Sequence, residues 1–193
     1  MNYLAHLFLS AGTTESLIGN LLGDFVKGSI DIYSQEIIKG IYLHRKIDAY
    51  TDSHPIFRSS KSLISLKRNR FAGVMIDVFY DHFLAKNWSE YSTVTLENFT
   101  DNIYQVLQEN QNILPERLKR ILPNMFASNL LASYKSICTI DRVINKISRR
   151  IKRKNNLFGG VEELFFNYQQ LQRDFSQFFP ELIDYTKNTA TKL

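Results

Sequence analysis

The stretch HRKIDAYTDSHP, residues 44–55, concentrates side chains that could bind a metal ion. It follows apolar residues that recur at helical spacing from Ile37, so a helix here would carry His44 and Asp48 toward the core. A single inward histidine is commonly a core residue, but a buried carboxylate without a partner is costly. Because the neighbouring bases point elsewhere on the helix, this pair indicates a cation supplied from outside the segment.

A second segment, residues 71–88, turns further carboxylates toward its apolar face. Asp81 lies within that face, Asp77 and His82 lie at its edges, and the segment holds no Lys or Arg before Lys86. Two carboxylates four residues apart on one helix repel each other unless a cation lies between them. A structural ion pair with a distant arginine is one explanation, and a divalent metal is the better one.

Two more segments carry donors of the same kind. Asn20 and Asp24 lie four residues apart in an apolar stretch, where Gly19 and Gly23 would admit a close neighbour, and His6 lies among apolar residues. Oxygen and imidazole ligands without thiolates suit Mn²⁺, Mg²⁺, Fe²⁺ or Zn²⁺, and such ions activate water for attack on phosphorus. The chain has neither a P-loop nor a GxSxG nucleophile elbow. These residues therefore favour a metal-dependent phosphohydrolase.

The elements that must position these side chains are predicted to be helices throughout. The chain has only 8 Gly and 4 Pro among 193 residues, and no stretch alternates between apolar and polar residues as a strand would. With Asn2, Thr14 and Ser34 as N-caps, helices are expected near 3–11, 15–27, 35–51, 55–67, 71–88 and 96–110, and from about 115, 139, 161 and 180. Without repeats or a linker, residues 1–193 are expected to form a single-domain helical bundle of the all-α class.

Composition divides the chain into two parts. Residues 1–111 hold 10 basic and 12 acidic side chains together with all four histidines, whereas residues 112–193 hold 14 basic and 7 acidic ones. A metal site is therefore expected mainly in 1–90, and a basic partner-docking surface mainly in 115–155. Cys138 is the only cysteine, which excludes an internal disulfide and a site built on several thiolates. No apolar run is long enough for a membrane span, and a reducing cytoplasm is the expected location.

The basic surface is concentrated on one amphipathic segment. Between residues 142 and 154 there are seven bases and no acid. The bases that cluster opposite an apolar stripe are Arg142, Lys146, Arg149 and Arg153. A solvated face is the simplest interpretation, but like charges repel each other, so the pattern favours a polyanionic partner. Aromatic residues do not alternate with these bases, so a groove that stacks nucleic-acid bases is poorly supported.

Four stretches resemble the acyl carrier protein phosphodiesterase family: NYLAHL (2–7), GNLLGDFVKG (19–28), HRKID with TD following (44–52), and DVFYDHFLAKNW (77–88). The resemblance runs along nearly the whole chain and implies a bundle related to the HD-type phosphohydrolases. It also implies hydrolysis of the phosphodiester that joins 4′-phosphopantetheine to a serine of holo-acyl carrier protein. Mn²⁺ would be the preferred ion, with Mg²⁺ or Fe²⁺ as substitutes. The doublet here is Asp-His where the HD signature is His-Asp, which leaves a permuted helix order open.

The resemblance also implies a role for each of the site residues. Those that look like metal ligands are Asp24, His44, Asp81 and His82. Asp48 and Asp77 would bind the ion or orient its ligands, and Arg45 would clamp the phosphate. His6 would orient a ligand or donate a proton to the leaving serine oxygen. Acyl carrier proteins are strongly acidic, so the expected partner of the basic surface is the carrier rather than a nucleic acid.

Two other functions remain open at this point. An HD-like phosphohydrolase acting on a nucleotide would share the metal but would not need the basic surface. A helical nucleic-acid-binding module without catalytic activity would keep its inward His and Asp for structure alone, and its affinity would fall steeply with salt.

Overall fold

The computed structural model describes residues 1–193 and contains no β-strand. Its helices are α1 (Tyr3–Phe8), α2 (Thr14–Leu22), α3 (Gln35–Ser53), α4 (Pro55–Ser62), α5 (Ala72–Lys86), α6 (Leu96–Glu109), α7 (Glu116–Lys119), α8 (Leu122–Ala127), α9 (Leu130–Ser133), α10 (Ile137–Arg150), α11 (Val161–Phe166) and α12 (Tyr168–Ala190). Short 3₁₀ helices cover Asn69–Phe71, Trp88–Glu90 and Gln111–Ile113. The predicted all-α class is confirmed.

Side-chain caps fix the beginnings of the helices in the first third of the chain. The Ser34 hydroxyl accepts a hydrogen bond from the Ile37 amide, as predicted, and Thr13, one residue before the predicted cap, does the same for α2. His54 caps α4, where Pro55 takes the first position and needs no hydrogen-bond partner for its nitrogen. Asn2 precedes α1, but its side chain makes no capping bond.

The second half of the chain departs from the predicted boundaries in two places. The segment after Pro115 folds as three short helices rather than one, and Pro180 lies inside α12 rather than at the start of a separate helix. The break falls instead at Asn167, between α11 and α12. Burial of Phe175, Phe178 and the side chains around them on one continuous face offsets the hydrogen bond that proline removes.

Helix α5 is the centre of the bundle and is packed on several sides by α1, α4, α9, α10 and α12. Its residues from Met75 to Ala85 are almost all buried, including Asp81 and His82. A helix that is apolar nearly all round belongs in the middle of a core. No helix of the chain combines the length and the apolarity that crossing a membrane would require.

Helices α2 and α3 pack so closely that only glycine fits at their points of contact. A Cβ on Gly19 would overlap the carbonyl oxygen of Ile37 and lie 2.8 Å from the Cα of Gly40. A Cβ on Gly23, one turn further along, would overlap the imidazole of His44. The close approach predicted for these two glycines is therefore made by α3, and it brings His44 against the end of α2.

We expect Gly19→Ala to lower the free energy of unfolding by about 1–3 kcal/mol, because the added methyl group must force α2 and α3 apart. Gly73→Ala is the matched control: Gly73 is also helical, but its added Cβ would meet only the Lys61 side chain, at 3.9 Å. This control should leave stability unchanged or raise it by up to about 1 kcal/mol. Urea unfolding of both variants measures the difference, and equal midpoints would contradict the packing argument.

Candidate functional site

Three side chains from α1 and α3 converge on one point. The potential ligand atoms of His6, His44 and Asp48 all lie within 4.8 Å of one another. The Nε2 atoms of His6 and His44 lie 3.1 Å from Oδ1 and Oδ2 of Asp48, respectively. The two rings are stacked with centroids 3.8 Å apart. We call these three residues the His–Asp cluster.

The two ring nitrogens of His6 each face an acceptor oxygen. Nδ1 lies 3.1 Å from Oδ1 of Asn20, and Nε2 lies 3.1 Å from Oδ1 of Asp48. Burial, opposed by the hydrogen bond to Asp48, lowers the pKa of His6 to about 4, so the ring is neutral at pH 7. A neutral ring carries one proton and can donate to only one of these two oxygens. A cation between Nε2 and the Asp48 carboxylate would leave that proton for Asn20.

His44 is placed by the close approach of α2 and α3. Its ring occupies the space beside Gly23, and it is almost fully buried. Its Nδ1 is buried without a hydrogen-bond partner, whereas its Nε2 points at Asp48. The ring is therefore held by packing, with the same nitrogen directed into the cluster as in His6.

A second pair of charges borders the cluster. The amino group of Met1 lies 2.9 Å from Oδ1 of Asp77 and 3.3 Å from Oδ1 of Asp48. Burial disfavours the ammonium, but Asp77 and Asp48 outweigh it and raise the pKa of the amine to about 11. Burial would also raise the pKa of Asp48, yet the hydrogen bonds from both histidines and this ammonium hold it well below the usual range. Asp48 is thus ionised and attracts cations.

Asp24 borders the cluster, whereas Arg45 has its contact elsewhere. Asp24 Oδ1 is 3.8 Å from His44 Nε2, and its side chain is 42% exposed. Burial and the charge of Asp48 raise its pKa, against an opposing effect of His44. Arg45 is exposed, makes no salt bridge, and lies over the ring of Tyr42 at 5.6 Å. The predicted ligand Asp24 is therefore next to the cluster, and the predicted phosphate clamp does not contact it.

Asp81 and His82 are held away from the cluster. The Asp81 carboxylate accepts hydrogen bonds from the backbone amides of Leu4 and Ala5, at 2.8 and 3.1 Å, at the beginning of α1. Burial raises its pKa to about 7, although these amides oppose the shift. His82 contacts the carbonyl oxygen of Tyr134 and the hydroxyl of Tyr168, both at 2.9 Å. In the structure both residues contact protein groups outside the cluster, and the metal ligation that the resemblance implied for them stays a prediction.

These residues fit a divalent cation. Two imidazole nitrogens and a carboxylate converge, the rings are buried, and Asp48 is 41% exposed, so the cluster is open on its carboxylate side. Compared with the expected ligands, His44 and Asp48 are brought together, and Asp24 and Asp77 border them. His6, expected to orient a ligand or to act as an acid, lies with the donors of the cluster.

Two features of the site were not predicted from the sequence. The contact of the Met1 amino group with Asp48 and Asp77 cannot be predicted from residue types, because it depends on the path of the backbone. Asp81 caps α1 although it lies 77 positions after Leu4 in the sequence. Periodicity within one helix cannot reveal such a long-range contact. The spacing of Asn20 and Asp24 was informative, because both contact histidines of the cluster.

Comparison with known proteins gives matches along the whole chain. The family model described as acyl carrier protein phosphodiesterase matches residues 1–182. A protein of Serratia proteamaculans with that name is 32% identical over 190 residues, which are 97% of this chain and 98% of that protein. Namesakes from Photorhabdus laumondii and Escherichia coli are each 31% identical, over 97% and 98% of this chain and 96% and 100% of their own lengths. No solved structure matches the chain.

We expect Asp81→Ala to lower the free energy of unfolding by about 1–3 kcal/mol, because it leaves two buried amide groups without an acceptor. Asp101→Ala, which removes an exposed carboxylate of α6, is the control and should change stability little. Urea unfolding and Mn²⁺ titration should be measured on both. An Asp81→Asn variant that keeps its stability but loses Mn²⁺ binding would place Asp81 among the ligands and contradict the capping role.

Proposed function

The chain belongs to the acyl carrier protein phosphodiesterase family, and we propose that it cleaves the phosphodiester between 4′-phosphopantetheine and the serine of holo-acyl carrier protein. The observation that carries the proposal is the match over residues 1–182, which includes every residue of the His–Asp cluster. Hydrolysis would give the apo-protein and free 4′-phosphopantetheine. The family match does not favour a nucleotide substrate or a role limited to nucleic-acid binding.

We further propose that the cluster holds Mn²⁺, or Mg²⁺ or Fe²⁺ in its place. His6, His44 and Asp48 would be the ligands, and Asp24 and Asp77 the carboxylates that border them. The donor set supports this assignment, because it combines two imidazoles and a carboxylate without any thiolate. A bound ion would supply polarisation of the phosphoryl oxygens and a water molecule of lowered pKa.

The protein's own groups prepare the site for a phosphodiester. Asn20 fixes the orientation of His6, and Gly23 leaves the space that His44 fills. Arg45 follows His44 directly on α3 and makes no salt bridge, so its guanidinium can leave the ring of Tyr42 and pair with phosphoryl oxygens. We assign Arg45 to holding the diester in place.

The basic surface is the proposed docking site of the carrier. The four bases named at the sequence level, Arg142, Lys146, Arg149 and Arg153, are all exposed. None of the bases between residues 142 and 154 takes part in any salt bridge of the protein, although thirteen such pairs occur elsewhere. A positive face without internal acidic partners is available to an acidic protein, which it would steer during encounter.

The catalytic proposal is tested by incubating the protein with holo-acyl carrier protein and Mn²⁺ and weighing the carrier by mass spectrometry. We expect loss of the 4′-phosphopantetheine mass, and at least about 100-fold slower loss with Asp48→Asn, which should also lose Mn²⁺ in equilibrium dialysis. Asp52→Asn is the control, one turn further on α3 and exposed, and should act like the wild type. A carrier unchanged by the wild type with Mn²⁺, Mg²⁺ or Fe²⁺ would refute the function.

Reversal of Arg142, Lys146, Arg149 and Arg153 to Glu should raise the KM for holo-acyl carrier protein by at least about tenfold, because attraction between the partners becomes repulsion. Mn²⁺ content should not change. Reversal of Arg173, Lys187 and Lys192 on and after α12 is a control for the altered net charge, since these exposed bases lie outside the basic surface. A KM that moves equally in both variants would place the docking face elsewhere.

A further inference from the structure

A cavity of about 410 Å³ opens between α8, α9 and α10. We call it the α8–α10 pocket, after the helices that form most of its wall. Residues 2 and 3 form one further side of it. Its volume lies in the range of sites that enclose a small molecule or a flexible prosthetic arm. Nothing in the metal proposal requires it, because none of its lining residues belongs to the His–Asp cluster.

The lining of the pocket combines three kinds of surface. Apolar walls come from Met125, Leu130, Val143 and Ile147. Neutral hydrogen-bonding groups come from Asn124, Ser128, Ser133 and Thr139. The cations all come from α10 and are Arg142, Lys146 and Arg150. No carboxylate lines the pocket. Such a lining suits an uncharged chain with amide and hydroxyl groups that is joined at one end to an anion.

The first six residues of the chain contribute to both the pocket and the His–Asp cluster. Asn2 and Tyr3 line the pocket, and the Asn2 amide donates to the buried Tyr134 hydroxyl at 2.8 Å. Met1, directly before them, contacts Asp48, and His6 lies in the cluster itself. Tyr3 lines the pocket together with Arg150 and stacks on Phe25, at 5.9 Å between ring centroids. Phe25 directly follows Asp24, which borders the cluster, so Tyr3 connects the side of the pocket with the side of the cluster.

The other large cavity of the protein is less suitable. It measures about 600 Å³ and is lined around Tyr33, Ile37 and Leu114. Its lining includes Glu15 and no cation, and it contains no residue of the His–Asp cluster or of its immediate surroundings. An arm that ends in a phosphate would be repelled there.

We propose that the α8–α10 pocket binds the pantetheine arm of the substrate while the phosphodiester lies at the His–Asp cluster. The inference rests on the proposed function, because it takes its ligand from that reaction. The arm has two amides, a hydroxyl and apolar methyl groups, which match the mixed walls, and it is joined to the phosphate at the end that must reach the cluster. Arg142, Lys146 and Arg150 then serve both the rim of the pocket and the basic surface.

The test is calorimetric titration of free pantetheine, which carries no phosphate, into the wild type and three variants. Val143→Trp and Asn124→Trp each place a large ring in the pocket, and Asn124 is exposed, so its replacement does not disturb the core. Val106→Trp on α6, also a half-buried valine, is the matched control. We expect pantetheine affinity to fall at least tenfold in both pocket variants and to stay unchanged in the control, with Mn²⁺ affinity the same in all.

The outcomes separate the pocket from the reaction. Pantetheine that binds the wild type and both pocket variants equally, or that does not bind the wild type, would overturn the inference. Inorganic phosphate that binds where pantetheine does not would also overturn it, because the pocket would then be a simple anion site. If pantetheine binding is lost in the pocket variants but the wild type leaves holo-acyl carrier protein intact, the pocket assignment holds and the proposed function fails.

Discussion

The close approach of α2 to α3 is the constraint on which the site depends. Gly19 faces Gly40 with no side chain between the two helices, and Gly23 leaves the space that the His44 ring occupies. A larger residue at either contact would push α3 outward and carry His44 and Asp48 with it. Because α2 also carries Asn20, the same contact sets the orientation of His6. Three donors from two helices, α1 and α3, are thus positioned by one backbone contact.

The cluster also places like polar groups together in a way that folding alone would not favour. Two buried imidazoles direct nitrogen atoms at one carboxylate, and Asp77 lies close by. The Met1 ammonium offsets part of this charge, but it contacts the carboxylates and not the imidazoles. Such unfavourable arrangements persist at functional sites, where a ligand supplies the missing interaction. This arrangement supports the cation that we propose for the cluster.

Sequence patterns predicted the helical class and the beginnings of the early helices, because caps and apolar spacing are local properties; α1, α2 and α4 end earlier than expected. The inward stripe through Ile37 and Ile41 correctly carried His44 and Asp48 to a shared site. The stripe on α5 was equally clear, but α5 is buried on several sides, so facing the core did not say which neighbour Asp81 and His82 would meet. One faces the beginning of α1, and the other faces Tyr134 and Tyr168. Helical periodicity predicts which way a side chain points, but it does not predict which residue that side chain will contact.

The acidic and the basic half of the chain meet at its first residues. The acidic half contributes the cluster, the basic half contributes α10, and the first six residues lie against both. Asp81 holds this short segment by its backbone, so an isolated helix of six residues, too short to be stable alone, is fixed between cluster and pocket. The substrate that we propose has a negative carrier, a phosphodiester and a neutral arm, and the basic surface, the His–Asp cluster and the α8–α10 pocket would receive these three parts. By holding the beginning of α1, Asp81 would position both the cluster and the pocket for such a substrate.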